Sequence, residues 1–341
     1  MKKLPSTENS YAPLHEMAMA PIRSRMLMAG IEMGIFDELT GFRPAGEIAE
    51  AIDAHKDNTE RFLNALVTIG LVDKKNGLYR NRPAFSEFLV RRSPTYLGEL
   101  LQMIEHMCLE PLDGLVGLVK DGPSSTTGQN DFASAELWAR ATRYSAAWVT
   151  GGAGSLMAGI VGELPEFKGF RRLLDLGGGH GMFALYFVDA HPSMTGVIFD
   201  RSAVVAVAEE FIREYGMQER LSVLAGDYLT DDIGENYDFI WACSTLNFAR
   251  HDLDALFAKV KRALNPGGVF AALQDGMTHD QTRPAVMLGH LGDSMREDRD
   301  LSFEQGQIGD AMLRCGFRSV RSRTVRTPMG ELDLDIARKD R

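Results

Sequence analysis

Between Leu173 and Gly181 the chain reads LLDLGGGHG, an apolar run that carries Asp175 near its end and breaks into Gly177, Gly178, Gly179 and Gly181. Glycines so closely spaced let a backbone turn sharply and approach a ligand with no Cβ in the way. A second apolar run, TGVIF from Thr195 to Phe199, ends in Asp200. In a doubly wound sheet an acidic residue at that strand end meets the hydroxyls of a ribose. The whole unit therefore predicts a nucleoside-binding strand, turn, helix and strand, with the helix starting at Met182.

The glycine spacing narrows the nucleoside. A dinucleotide fingerprint needs glycines at the first, third and sixth positions so that a pyrophosphate rests on the helix N-terminus, and the sixth position from Gly177 is Met182. No Lys-Ser or Lys-Thr follows to make a phosphate loop. Asp175 repels a pyrophosphate and attracts an ammonium group. A ligand with an adenosine and an ammonium but no phosphate, S-adenosylmethionine, has both parts.

The elements that must position these residues divide the chain in two. From residue 171 onward, strands are expected at 171–176, 195–200, 221–225, 237–243 and 268–274 with helices between, followed by extended runs at Ser319–Val325 and Glu331–Ala337. The link between those last two runs is too short for a helical crossover, so they pair antiparallel. Upstream, Ala45–Ile52 and Thr59–Ile69 are expected helices, the second capped by Asn58. The segment LVDKKNGLYRNRP then gives a hairpin around Asn76-Gly77. Helix, helix and hairpin make a winged helix. The outer face of its second helix is apolar at Phe62, Leu63, Leu66, Val67 and Ile69 and carries one basic residue, Arg61, so a packing role is expected in place of DNA reading. The stretch Leu14–Leu39, with Met17, Met19, Met26, Met28 and Met33, predicts a long apolar helix at a subunit interface. Tyr144–Ile160 is expected to be one helix leading into the sheet, and DGPSSTTGQND at 121–131 a connecting loop. The expected domains are 1–120 and 121–341.

Composition sets outer bounds. The chain has 341 residues, 45% of them hydrophobic and 25% charged, with Lys+Arg 37 against Asp+Glu 47 for a net charge of −10. That balance argues against nucleic acid or an anionic membrane as a partner. MKKLPSTENS has no apolar run after its lysines, and no stretch is long enough to span a bilayer, so a cytoplasmic protein is expected. Cys108, Cys243 and Cys315 are far apart and odd in number, which fits free thiols and no metal site.

Several segments together resemble a known family: GIEMGIFDEL, the winged helix ending in GLVDKKNGLYRNRPAFSEFL, LLDLGGGHG, VIFD at Asp200, LAGDYL around Asp227, and ALNPGGVF. Their order is similar to that in class I S-adenosylmethionine-dependent small-molecule O-methyltransferases with an N-terminal winged-helix dimerisation domain, such as caffeate and hydroxyindole O-methyltransferases. The resemblance implies an α/β doubly wound, Rossmann-like methyltransferase sheet with a terminal antiparallel strand pair, a mainly helical N-terminal domain and a homodimer. It implies that Asp175, Gly177, Gly178 and Gly179 line the methionine moiety and that Asp200 binds the ribose. It further implies that Gly226 and Asp227 approach the adenine amino group, that Tyr228 packs on the ring, and that Cys243 stands where the family often has a lysine.

One departure concerns catalysis. Where many relatives place a histidine base followed by an acidic residue and a tryptophan, this chain reads TLNFARHD, with Asn247 at the histidine position. Asparagine holds a hydroxyl by hydrogen bonds but does not take a proton near neutral pH. Three explanations stand: His251 serves as base from a shifted loop, with His290 a further candidate; an acidic phenol, thiol or amine is methylated by positioning alone; or the acceptor is carbon, or S-adenosylmethionine is used for other chemistry. The acceptor pocket is expected over the C-terminal strand ends, lined by Met103, Met107, Trp148, Met157, Met287, His290 and Met295, a wall suited to a flat aromatic or polyketide-like molecule. A winged-helix regulator that senses S-adenosylmethionine, and a nucleotide-dependent oxidoreductase, are the rival classes.

Overall fold

The computed structural model describes residues 3–123, 135–297 and 302–341. The chain divides into two compact units, Met1–Gln102 and Met103–Arg341. The expected boundary at 120 lies further along. Residues 105–121 instead belong with the second unit, because they pack on the segments Ala285–His290 and Leu291–Glu297.

In the first unit the helix Ala12–Glu32 stops at Gly34, and a short turn, Ile35–Leu39, follows. The single long helix expected over Leu14–Leu39 is thus two pieces. Strand β1 (Arg43–Pro44) and the helices Ala45–Ala51 and Lys56–Thr68 lead to the hairpin β2 (Val72–Lys75) and β3 (Leu78–Asn81), turned at Asn76 and Gly77 as expected. The sheet order is β1-β3-β2. The cap of the second helix is His55, whose ring accepts from the Asn58 N–H, so Asn58 lies inside the first turn. Ile31, Ile35, Phe36, Leu39, Ile48, Leu63, Leu66 and Tyr79 form the core of this unit. Burial of Leu63 and Leu66 takes the inner stripe of the second helix out of contact with solvent.

The second unit is built on a seven-stranded sheet. Its strands are β4 (Arg172–Leu176), β5 (Thr195–Asp200), β6 (Leu221–Ala225), β7 (Tyr237–Cys243), β8 (Leu264–Gln274), β11 (Ser319–Thr327) and β12 (Gly330–Arg338). A separate parallel pair is β9 (Gly276–Met277) with β10 (Phe303–Glu304). The order β11-β12-β8-β7-β4-β5-β6 is parallel from β8 through β6, while β12 runs antiparallel to both β8 and β11. β4 has β5 on one side and β7 on the other, so strand order reverses there and a crevice opens past the strand ends.

Period-two alternation fills both faces. In β7, Phe239 and Trp241 join one core with Phe187, Phe183 and Met157, while Ile240 and Ala242 join the other with Phe199, Phe257 and Phe270. The helix expected over Tyr144–Ile160 is broken. The helix Ala135–Trp148 and the helix Gly154–Gly162 meet at a widened turn where Gly152 has φ 134°, a backbone state that side chains rarely adopt. Of the expected loop at 121–131, residues 124–131 lie outside the described residues. Among the described residues, no helix is long and apolar enough to cross a membrane.

Candidate active site

The glycine turn is sewn to the end of β5. Gly177 and Gly178 both donate their N–H to the Phe199 carbonyl, at 2.8 and 3.1 Å. Gly177 has φ 64°, and a Cβ there would overlap Thr245 Oγ1, so the close approach of these two segments requires glycine. Gly179 donates to Asp200 Oδ2 at 2.9 Å and the Arg201 N–H to Asp200 Oδ1 at 2.7 Å. Each carboxylate oxygen keeps a lone-pair direction free for a further donor. Burial raises the Asp200 carboxyl above its ordinary range, against the opposing pull of those two N–H groups.

The next strand end adds a second acid. Gly226 donates to the Asp200 carbonyl at 3.0 Å, which sets Asp227 beside Asp200. Asp227 Oδ1 accepts from the Leu229 N–H at 2.9 Å, a local turn that fixes the carboxylate. Tyr228 donates its hydroxyl to the Thr245 carbonyl at 2.6 Å, and burial pushes that phenol up to about 12. Its ring is therefore held as a neutral apolar wall.

These groups line one cavity of about 230 Å³ together with Trp138, Thr142, Arg201, Val204, Leu229, Ser244, Thr245 and Phe248. Two carboxylates that accept from hydroxyl and amino groups, one turn of bare backbone and an apolar wall fit a nucleoside with a ribose and an amino-bearing base. They fit S-adenosylmethionine and offer nothing basic for a pyrophosphate beyond Arg201.

Of the residues expected to hold the cofactor, Gly177, Gly179, Asp200, Gly226, Asp227 and Tyr228 meet at this cavity; Asp175, Gly178 and Cys243 do not line it. Asp175 is only 2% exposed, and its Oδ2 is buried without a hydrogen-bond partner. Burial pushes its carboxyl up to about 7. Gly178 makes room for it, since a Cβ there would lie 2.7 Å from Asp175 Cγ. Cys243 is half-buried with its Sγ 3.7 Å from Ser244 Oγ, and burial pushes its thiol up to about 12. It sits behind the cavity wall that Ser244 and Thr245 form.

The residues expected on the acceptor side are dispersed. Asn247 lies in the turn Leu246–Asp252, with its Oδ1 buried and unpartnered. Arg250 of the same turn bonds the Ser302 carbonyl and covers the Phe303 ring at 5.4 Å. His251 and His290 are exposed. Met103, Met107, Met287 and Met295 are half-buried around the segment 285–297. Trp148 packs edge to face on Phe183 at 5.4 Å, with its Nε1 buried and unpartnered. Met157, expected in the acceptor wall, is fully buried in the core beside Phe183 and Phe187, where the face of its helix turns inward. Among the described residues, no three His, Cys, Asp or Glu side chains come together to hold a metal ion.

Trp138, Thr142 and Val204 lie in no motif of the sequence, and their place in the wall emerges only when the helix Ala135–Trp148 packs along Ser202–Glu214; Phe248 stands beside Asn247 in TLNFARHD. Arg201, Leu229, Ser244 and Thr245 were within reach of sequence reasoning, as direct neighbours of Asp200, Tyr228 and Cys243.

Comparison with known proteins adds three findings. A family model described as an O-methyltransferase domain matches residues 147–295, and one described as an O-methyltransferase dimerisation domain matches residues 16–91. Among curated proteins, the tetracenomycin polyketide synthesis 8-O-methyl transferase TcmO of Streptomyces glaucescens is 28% identical over 333 residues, covering 96% of each chain. The 3-hydroxy-5-methyl-1-naphthoate 3-O-methyltransferase of Streptomyces sahachiroi is 27% identical over 80% of this chain and 79% of its own length. The N,N-dimethyltransferase OxyT of Streptomyces rimosus is 27% identical over 79% of both. Among solved structures, human N-acetylserotonin methyltransferase in complex with S-adenosylmethionine superposes with a TM-score of 0.79 at 21% identity, over 99% of this chain and all of that one. That likeness concerns the fold.

Proposed function

Since the chain belongs to the family of S-adenosylmethionine-dependent O-methyltransferases that carry an N-terminal dimerisation domain, we propose that it methylates a hydroxyl of a flat, polyketide-like aromatic acceptor and works as a homodimer. The observation that carries the donor side is the meeting of the Gly177 turn, Asp200 and Asp227 around one cavity. The polyketide and naphthoate acceptors named for two relatives support the acceptor class.

S-adenosylmethionine supplies a methyl group on a sulfonium, already activated for transfer. Asp200 would accept from the ribose hydroxyls and Asp227 from the adenine amino group. Gly177 and Gly179 bring bare backbone to the methionine part, and the walls exclude water that would compete with the acceptor. Asn247 Oδ1, buried and without a partner, accepts from the neutral acceptor hydroxyl and orients it before it ionises. Asparagine takes no proton, so the acceptor hydroxyl gives its proton to solvent ahead of methyl transfer; rate follows the fraction of acceptor ionised, and orientation supplies the remainder. Exposed His251 and His290 do no proton work in this scheme.

The test uses radiolabelled S-adenosylmethionine with hydroxynaphthoates, hydroxyanthraquinones, aromatic amines and thiols. Methyl transfer to the hydroxylated compounds is expected. Asn247→Ala should lower kcat/KM about 100-fold through lost orientation, and His251→Ala should change it by less than about two-fold. Loss of turnover in His251→Ala would replace positioning with base catalysis. Exclusive transfer to amines would favour the nitrogen reading that the likeness to OxyT keeps open.

A further inference from the structure

Two aromatic rings, those of Trp138 and Phe248, line the cavity. Trp138 lies in the first turn of the helix Ala135–Trp148, and Phe248 lies next to Asn247 in the turn Leu246–Asp252. Their rings meet edge to face with centroids 6.1 Å apart and planes at 64°. Phe248 is 50% exposed, and neither ring belongs to a core cluster of this unit. Arg201, the residue after Asp200, places its guanidinium 5.1 Å from the Trp138 ring centroid.

The scaffolds under the rings are separately anchored. The helix of Trp138 packs along Ser202–Glu214 and is tied to it by an Arg143–Glu210 ion pair. The turn of Phe248 is tied to β10 through Arg250 and the Ser302 carbonyl. The pair therefore bridges from the end of β5 to the end of β7, across a cavity whose acidic groups are Asp200 and Asp227. Those carboxylates take the hydrogen-bonding edges of a nucleoside and leave the faces of its base uncovered. An aromatic face over a base adds affinity by stacking, and a guanidinium against the ring holds it in place.

We propose that Trp138 and Phe248 form an aromatic roof over the adenine of S-adenosylmethionine, with Arg201 fixing the Trp138 ring and Tyr228, Val204 and Leu229 completing the wall. This rests on the donor reading above and assigns the base contact to Trp138, which lies in no motif of the sequence, and to Phe248, the neighbour of Asn247. Trp138 carries most of the contact because its ring is the larger and is pinned. Phe248 acts partly through Trp138.

The experiment measures S-adenosylhomocysteine binding by titration calorimetry and by tryptophan fluorescence. The chain has 3 tryptophans, and Trp241 is fully buried while Trp148 is packed on Phe183, so a change in emission on binding reports Trp138. The wild type should change its emission; Trp138→Phe should lose that change and bind within about three-fold. Trp138→Leu should weaken binding about ten-fold, equivalent to ~1.4 kcal/mol, and Phe248→Leu about three-fold. The double variant should lose less than the two single effects combined, because the rings touch. Should Trp138→Leu fail to fold, Phe248→Leu and the Trp138→Phe emission decide. Wild-type affinity in the leucine variants, or wild-type emission unaltered at saturation, overturns the roof and leaves the methyltransferase reading standing. A wild-type chain that binds no S-adenosylhomocysteine overturns both.

Discussion

Asp175 is a carboxyl group that the fold has withdrawn from water. Its desolvation, with Asp200 adding like charge, raises it from 3.8 to about 7. A raised acid binds its proton more tightly in the folded chain than in the unfolded one, so between those two values the folded state holds more protons. The stability it contributes is full below about 3.8 and lost as pH rises through about 7. Asp175→Asn, which cannot ionise, should therefore gain on the wild type by ~1–3 kcal/mol between pH 5 and pH 8. Urea unfolding at the two pH values checks this, and parallel pH slopes for the two proteins would sink it. Asp335, pushed up to about 6, contributes equally to both and drops out of the difference. The same residue shows where reading ran out. An acidic side chain closing an apolar strand looks like a ligand contact, as Asp200 does, and the two differ only in surroundings. Gly178 and the strand pairing enclose Asp175, whereas the chain beyond Asp200 leaves its carboxylate at the cavity.

At the scale of elements, the terminal antiparallel strand is fastened to the start of the parallel sheet by one ion pair. Arg338, at the end of β12, gives Glu166 a two-pronged contact, Nε to Oε1 at 2.6 Å and Nη2 to Oε2 at 3.2 Å. Both side chains are less than a third exposed, and the hydrogen bond from Arg338 holds the Glu166 carboxyl below its ordinary range. A depressed acid adds stability above its unfolded value of 4.5 and loses it as pH falls through the lower folded value. Glu166→Gln should cost about 1 kcal/mol at pH 7, and the gap from the wild type should close as pH falls below 4.5, as read by thermal unfolding. An equal gap at both ends of the range would mean that packing, not charge, is at stake. The strands were legible because alternation and short apolar runs are local: β5, β6 and β7 fall on their expected bounds. Helix ends were less so. His55 in place of Asn58 as cap, and Gly152 breaking 144–160, depend on how each helix is drawn into its core. The Gly151-Gly152 pair is a local turn signal for that break, outweighed in the expectation of one helix by the apolar residues on either side.

For the molecule as a whole, the first helix poses an energetic problem that a single chain does not solve. Ala12–Glu32 runs for 21 residues, and only Gly30 and Ile31 are buried within it. Leu14, Met17, Met19 and Ile22 are 68%, 72%, 43% and 51% exposed. A helix whose apolar side chains remain in water gains little from packing, the main source of helix stability in proteins. Exposed large apolar side chains in this number mark a protein contact, and the dimerisation-domain match, residues 16–91, covers Met17, Met19 and Ile22. A second copy burying these side chains would remove roughly 1.5–3 kcal/mol of exposed apolar surface per large residue. Light scattering should then give twice the 37.7 kDa of one chain. Met17→Glu with Ile22→Glu places charges in that contact and should weaken association at least 100-fold, at a cost of several kcal/mol for unpaired buried charge. The cofactor cavity is lined by residues between Trp138 and Phe248, all in the second unit, so the doubly substituted chain should bind S-adenosylhomocysteine within about two-fold of wild type. A wild type of single-chain mass would remove the dimer. A parallel loss of cofactor affinity would mean that the first unit supports the cavity in a way its lining residues do not reveal.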